Sequence, residues 1–130
     1  MTSEFVQILQ TGHFHWVCVS NIGCDPGVVN LYDSLQRGRG VSDDIRKQIE
    51  CLVGEGYLTK INAVKVQNQT NGFDCGVFAV AFATALACHI APETVEFNIP
   101  KMREHLKDCF DDHSFTPFPT KSKTSTATKK

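Results

Sequence analysis

Four side chains in this sequence carry the groups that acyl transfer by a thiol requires: Cys75, His15, Asp33 and Gln69. A deprotonated thiol attacks a carbonyl carbon. An imidazole takes the thiol proton and later returns it to the leaving amine, and a carboxylate orients the imidazole and stabilises its cationic form. A side-chain amide, with the nucleophile's own backbone N–H, donates to the oxyanion. Along the chain these residues run in the order His, Asp, Gln, Cys.

The placement of Cys75 is the first thing the elements must supply. Residues 67–76 form a polar turn containing Gly72, and the Ala-rich run behind it, 77–90, is apolar on nearly every side. That run predicts a helix buried in the core, and it falls short of the roughly 20 residues needed to span a bilayer. Cys75 then sits in the first turn of this central helix, where unpaired N–H groups carry partial positive charge and favour a thiolate. Gly76 is a poor helix residue unless something must come close to the backbone there. The ordinary reading of a cysteine is a small buried hydrophobe, and the chain has six.

His15 and Asp33 are positioned by a predicted hairpin. Residues 14–20 are aromatic and β-branched, 28–34 read as the next strand, and 21–27 form a loop by composition. With the loop centred on Cys24, Ser20 faces Val28, Val17 faces Leu31 and His15 faces Asp33. The face carrying His15, Val17, Val19, Val29, Leu31 and Asp33 is expected to lie on the central helix, with Trp16 paired to Tyr32 on the other face. A slip of one residue would instead put Tyr32 or Ser34 opposite His15. Each polar residue also has an ordinary reading: His15 as a strand histidine, Asp33 as a strand end, and Gln69 as a turn residue with Gln67 competing for its role. Asp74 reads as a helix N-cap with its charge directed into the backbone.

The rest of the chain supplies the frame. Residues 4–10 predict a short strand and 61–67 another. Ser42 as N-cap, Asp43 and Asp44 in the first turn, and Ile45, Ile49, Leu52 and Val53 at helical spacing predict an amphipathic helix over 43–53, stopped by Gly54 and Gly56. Residues 36–40 read as a Gly-rich turn. Ala91-Pro92 ends the central helix. A last helix is expected over 100–110, with Met102, Leu106 and Cys109 inward. Residues 115–119 read as extended, and the Lys/Ser/Thr-rich end as a disordered tail.

At 130 residues and 42% apolar the chain is expected to be one globular domain. Its net charge of −1 argues against a nucleic-acid binder driven by phosphate contacts. No signal peptide or membrane span is expected, so the cysteines read as reduced thiols of a nuclear or cytoplasmic protein. No zinc-like spacing joins His13, His15, Cys88 or His89, and neither a metal nor a cofactor is expected.

His15-Trp16, then Leu31-Tyr32-Asp33-Ser34-Leu35, then the stretch from Gln69 to Gly76 together resemble the ubiquitin-like-protein-specific cysteine protease family, also called SUMO- or sentrin-specific. Three motifs in this order, with matching spacings, cover roughly residues 5–110. The resemblance implies an α+β cysteine-protease fold, papain-like with permuted order, whose central, mostly antiparallel sheet packs on a buried nucleophile helix. It implies Cys75 as nucleophile, His15 as base, Asp33 as its orienter and Gln69 as oxyanion donor. Trp16 matches the family tryptophan over a narrow channel that admits a Gly-Gly tail, since glycine has no Cβ to hold an aromatic lid away. The catalytic domain is expected over 1–118, without the family's N-terminal segment, followed by the tail at 119–130. The implied activity is a thiol protease or isopeptidase acting after the Gly-Gly of SUMO or a related ubiquitin-like modifier. Its partners would be that modifier and its conjugates, with no nucleic acid or membrane, and the chain would be monomeric. The alternative is an inactive or truncated protease-like remnant that at most binds a ubiquitin-like partner.

Overall fold

The computed structural model describes residues 3–12, 14–35, 41–54, 56–72 and 74–121. The predicted turn at 36–40 lies outside them. Four strands, β1 (Val6–Thr11), β2 (His15–Ser20), β3 (Val28–Tyr32) and β4 (Lys60–Val64), form one sheet in that spatial order. β1–β2 and β2–β3 are antiparallel, and β3–β4 is parallel. A parallel neighbour demands a crossover, and helix α1 (Asp43–Val53) supplies it. Helices α2 (Cys75–Ala87) and α3 (Ile99–Asp112) follow, with a single 3-10 turn at Pro92–Thr94 between them. The architecture is α+β with a mostly antiparallel mixed sheet, as expected.

The helix ends follow local chemistry. Ser42 caps α1, its hydroxyl accepting from Ile45 N at 3.2 Å, with Asp43 and Asp44 in the first turn. Gly54 closes α1 at a φ of 96°, a conformation that costs other residues about 1–2 kcal/mol. Pro100 sits in the first turn of α3, where a missing N–H costs nothing. In α2, nine of thirteen residues are buried, so its stability rests on packing and not on an amphipathic stripe.

The sheet is covered on both faces, and this corrects the expected packing. Val17, Val19, Val29 and Leu31 pack with Ile45, Ile49 and Val53 of α1. The central helix α2 takes the opposite face, where Cys18, Tyr32, Val64 and Val66 meet Phe78, Phe82 and Leu86, with Phe97, Met102 and Phe118 closing the cluster. Both faces of β2 and β3 are apolar, so alternation alone does not say which helix covers which. The narrow aliphatic stripe of α1 suits the Val/Leu face. The aromatic ring of Tyr32 is left to Phe82, its centroid 6.1 Å away.

The hairpin register also differs from the expected one. Cys18 pairs with Tyr32, Val19 with Leu31 and Ser20 with Asn30, a shift of two residues. The cause is the turn. Val28 N donates to Asp25 O at 3.0 Å, so the loop tightens around Asp25-Pro26-Gly27 instead of centring on Cys24. Gly27 is required there: its φ is 84°, and a Cβ would stand 2.7 Å from Thr59 Oγ1 and 3.0 Å from the Tyr57 carbonyl. A two-residue slip preserves face identity because the side-chain period of a strand is two.

The C-terminal stretch departs from the expected tail boundary. Thr120 bridges Phe97, Asn98 N donates to Pro119 O, and Lys121 N donates to Glu96 O, each of the last two at 2.8 Å. The chain is therefore docked through Lys121. The remainder of the expected tail, 122–130, lies outside the described residues. Among the described residues no helix is long and apolar enough to cross a membrane.

Candidate active site

The site lies where the start of β2 meets the N-terminus of α2. Phe78 N makes the first α2 backbone bond to Asp74 O, at 3.0 Å, so the N–H groups of Cys75, Gly76 and Val77 precede the helical ladder. Cys75 is 6% exposed, and its thiol donates to the Phe14 carbonyl at 3.8 Å. Phe14 has a φ of 62°, a left-handed backbone that costs a non-glycine residue about 1–2 kcal/mol. That conformation turns its carbonyl to the thiol while leaving its ring in solvent.

His15, the first residue of β2, bonds Asp33 through Nε2 to Oδ1 at 2.7 Å. The carboxylate can only accept, so Nε2 carries the proton, and in the neutral ring Nδ1 holds the lone pair. Nδ1 is buried and, among the described residues, has no partner in hydrogen-bonding geometry. The Cys75 thiol is nevertheless close enough to act on the ring. His15 is raised above its usual 6.5 chiefly by the bond to Asp33, opposed by burial, with further upward contributions from the neighbouring Cys75 thiol and from the charge of Asp33. Asp33 is itself fixed, because Oδ1 also accepts from Leu35 N at 2.8 Å. Both residues lie beyond the paired stretch of the two strands, His15 at the start of β2 and Asp33 just after the end of β3.

Gln69 and Gln67 separate cleanly. The Gln67 amide is bonded both ways to one residue, Nε2 donating to Phe97 O at 3.1 Å and Oε1 accepting from Phe97 N at 2.6 Å. It ties the segment before the turn to the segment before α3. Gln69 is 8% exposed, its backbone N donates to Ser34 O at 2.8 Å, and its Nε2 donates to Asn71 O at 2.7 Å. One of its two amide hydrogens is used there.

Two expectations are corrected. Asp74 makes no side-chain cap bond. Its carboxylate accepts instead from Asn71 Nδ2 at 2.7 Å through Oδ2 and from Arg103 of α3 through Oδ1. Arg103 lies 29 residues away, and no local sequence signal pointed to it. Trp16 is not paired with Tyr32: it is 38% exposed, and its Cδ1 lies 3.6 Å from where a Gly76 Cβ would be. The group that approaches the helix start at Gly76 is thus the Trp16 indole. Sequence reasoning also passed over Ser34, whose hydroxyl donates to Gln69 Oε1. Its place beside Asp33 was the available signal.

A thiol at the start of a buried helix, with an imidazole held against it by a carboxylate, is the arrangement of a cysteine peptidase. The Ulp1 protease family, C-terminal catalytic domain, matches residues 5–114, and the chain belongs to that family. Among solved structures it is similar to the C-terminal Ulp1 protease domain in complex with Smt3, the yeast ortholog of SUMO. The TM-score is 0.49 at 18% identity, covering 69% of this chain and 43% of that one. The chain thus spans less than half of that neighbour's length. No curated protein sequence matches it.

Proposed function

We propose that this domain is a thiol protease or isopeptidase that cleaves after the C-terminal Gly-Gly of SUMO or a related ubiquitin-like modifier. Cys75 is the nucleophile. His15 Nδ1 takes its proton, the thiolate adds to the scissile carbonyl, and the oxyanion is met by the Cys75 backbone N–H and the Gln69 amide. Nδ1–H then protonates the leaving amine as the thioester forms. In the second half, His15 removes a proton from water, which displaces the thiol and releases the carboxylate product. Asp33 keeps the ring in the tautomer that both halves need. Trp16, over the helix start, restricts the approach to residues without a Cβ. The observation that carries the reading is the buried Nδ1, unpartnered among the described residues, of a ring whose other nitrogen is on Asp33.

The test is covalent capture. The purified chain is mixed with SUMO, with ubiquitin and with other ubiquitin-like proteins carrying an electrophile at the C-terminal glycine. A mass shift with one probe, lost in Cys75→Ser, is expected. No adduct with any probe from folded protein would leave the alternative of a domain that only binds. We further propose a monomer acting in the nucleus or cytoplasm.

A further inference from the structure

We propose that Ser34 is a positioning residue for the Gln69 amide, so that the consecutive pair Asp33-Ser34 aligns both the proton-transfer group and the oxyanion donor. This rests on the oxyanion role proposed for Gln69. The orientation of that amide follows from its partners. The Asn71 carbonyl can only accept, so the nitrogen must face it, and Oε1 must face Ser34, whose hydroxyl donates to it at 2.5 Å. Ser34 is 1% exposed, so no water can replace it without a rearrangement. A second bond, Gln69 N to Ser34 O at 2.8 Å, holds the two backbones in register. The hydroxyl thus prevents the amide from rotating and leaves its second N–H available to the reacting oxygen. Asp33 acts one residue earlier, on His15. A shift of this dipeptide would disturb both halves of the reaction together.

Ser34→Ala and Gln69→Ala are made singly and together, with Ser34→Cys as a near-isosteric variant that keeps a weak donor and guards against loss of folding. The Gln69 side-chain NH2 signals of 15N-labelled protein are assigned by their loss in Gln69→Ala. In Ser34→Ala they are expected to shift and to exchange faster with water, with Ser34→Cys intermediate. Alkylation of Cys75 by iodoacetamide should stay within about twofold of wild type, because Gln69 does not act on the thiol. On a Gly-Gly substrate kcat should fall about 10- to 100-fold with KM nearly unchanged, less than the roughly 100- to 1,000-fold effect of removing an oxyanion donor outright. In the Gln69→Ala background Ser34→Ala should add less than about twofold. Unmoved amide signals, or fully multiplicative losses in the double variant, would overturn the proposal. Absence of turnover in wild type, with amide signals that still move in Ser34→Ala, would uphold the positioning and count against the peptidase reading alone.

Discussion

Arg103 grips Asp74, the residue immediately before Cys75, with Nε at 2.8 Å and Nη2 at 2.7 Å from the same carboxylate oxygen. The arginine is mostly exposed and the aspartate mostly buried. Asp74 places a negative charge one residue from the thiol proposed as the nucleophile, and Arg103 on α3 meets that charge. Arg103→Met should therefore slow iodoacetamide alkylation of Cys75 at pH 7, on the order of threefold to tenfold. Adding Asp74→Asn should recover the rate. A rate in Arg103→Met equal to wild type would show that Asn71 alone suffices.

The bond from His15 to Asp33 sets a pH dependence whose sign is defined. His15 is raised in the folded chain, mainly by Asp33. Its contribution to stability is therefore complete below its unfolded value, about 6.5, and is lost as pH rises through the folded value. Asp33→Asn should lower the His15 titration midpoint, read from the ring Hε1 shift. Its destabilisation in urea should be larger at pH 6 than at pH 9. A midpoint unchanged by the substitution would mean that Cys75, not Asp33, holds the ring charged.

Trp16 and Gly76 make a matched pair. An alanine at 76 meets the indole at ordinary contact distance, 3.6 Å. Gly76→Ala should therefore fold, with a gain of up to about 1 kcal/mol from helix propensity. Trp16→Ala, by opening the space over the helix start, should relax the preference for glycine. Cleavage of a substrate with alanine in place of the last glycine should rise relative to the Gly-Gly substrate by about tenfold. An unchanged ratio would assign Trp16 to packing only.

Gln67, unlike Gln69, is a structural amide. Its two bonds to the Phe97 backbone join the approach to the turn before α2 with the approach to α3. Gln67→Ala should cost about 1–3 kcal/mol in urea unfolding, because it leaves a partly buried donor and acceptor unpaired. Its kcat on a Gly-Gly substrate should stay within about threefold of wild type. A loss of about 100-fold or more in kcat with unchanged stability would reverse the assignments of the two glutamines.

The sequence by itself determined the parts that depend on neighbours along the chain. Helix α1 runs from Asp43 to Val53 because Ser42, the first-turn aspartates and Gly54 are all local signals. Cys75 opens α2 because an apolar run begins directly behind a polar turn. The pairing of His15 with Asp33 was legible even though the register was not, since the start of β2 and the end of β3 lie at the same end of the hairpin whichever register is adopted. Only the tertiary structure decided which helix covers which face of the sheet, because β2 and β3 are apolar on both sides and either packing satisfies their alternation. It also decided that Asp74 is held by Arg103 instead of by the helix backbone, and that Ser34 reaches Gln69 across 35 residues. Hydrogen bonds between residues far apart in sequence form where packing brings their backbones together. No propensity or spacing encodes that proximity until the core is assembled.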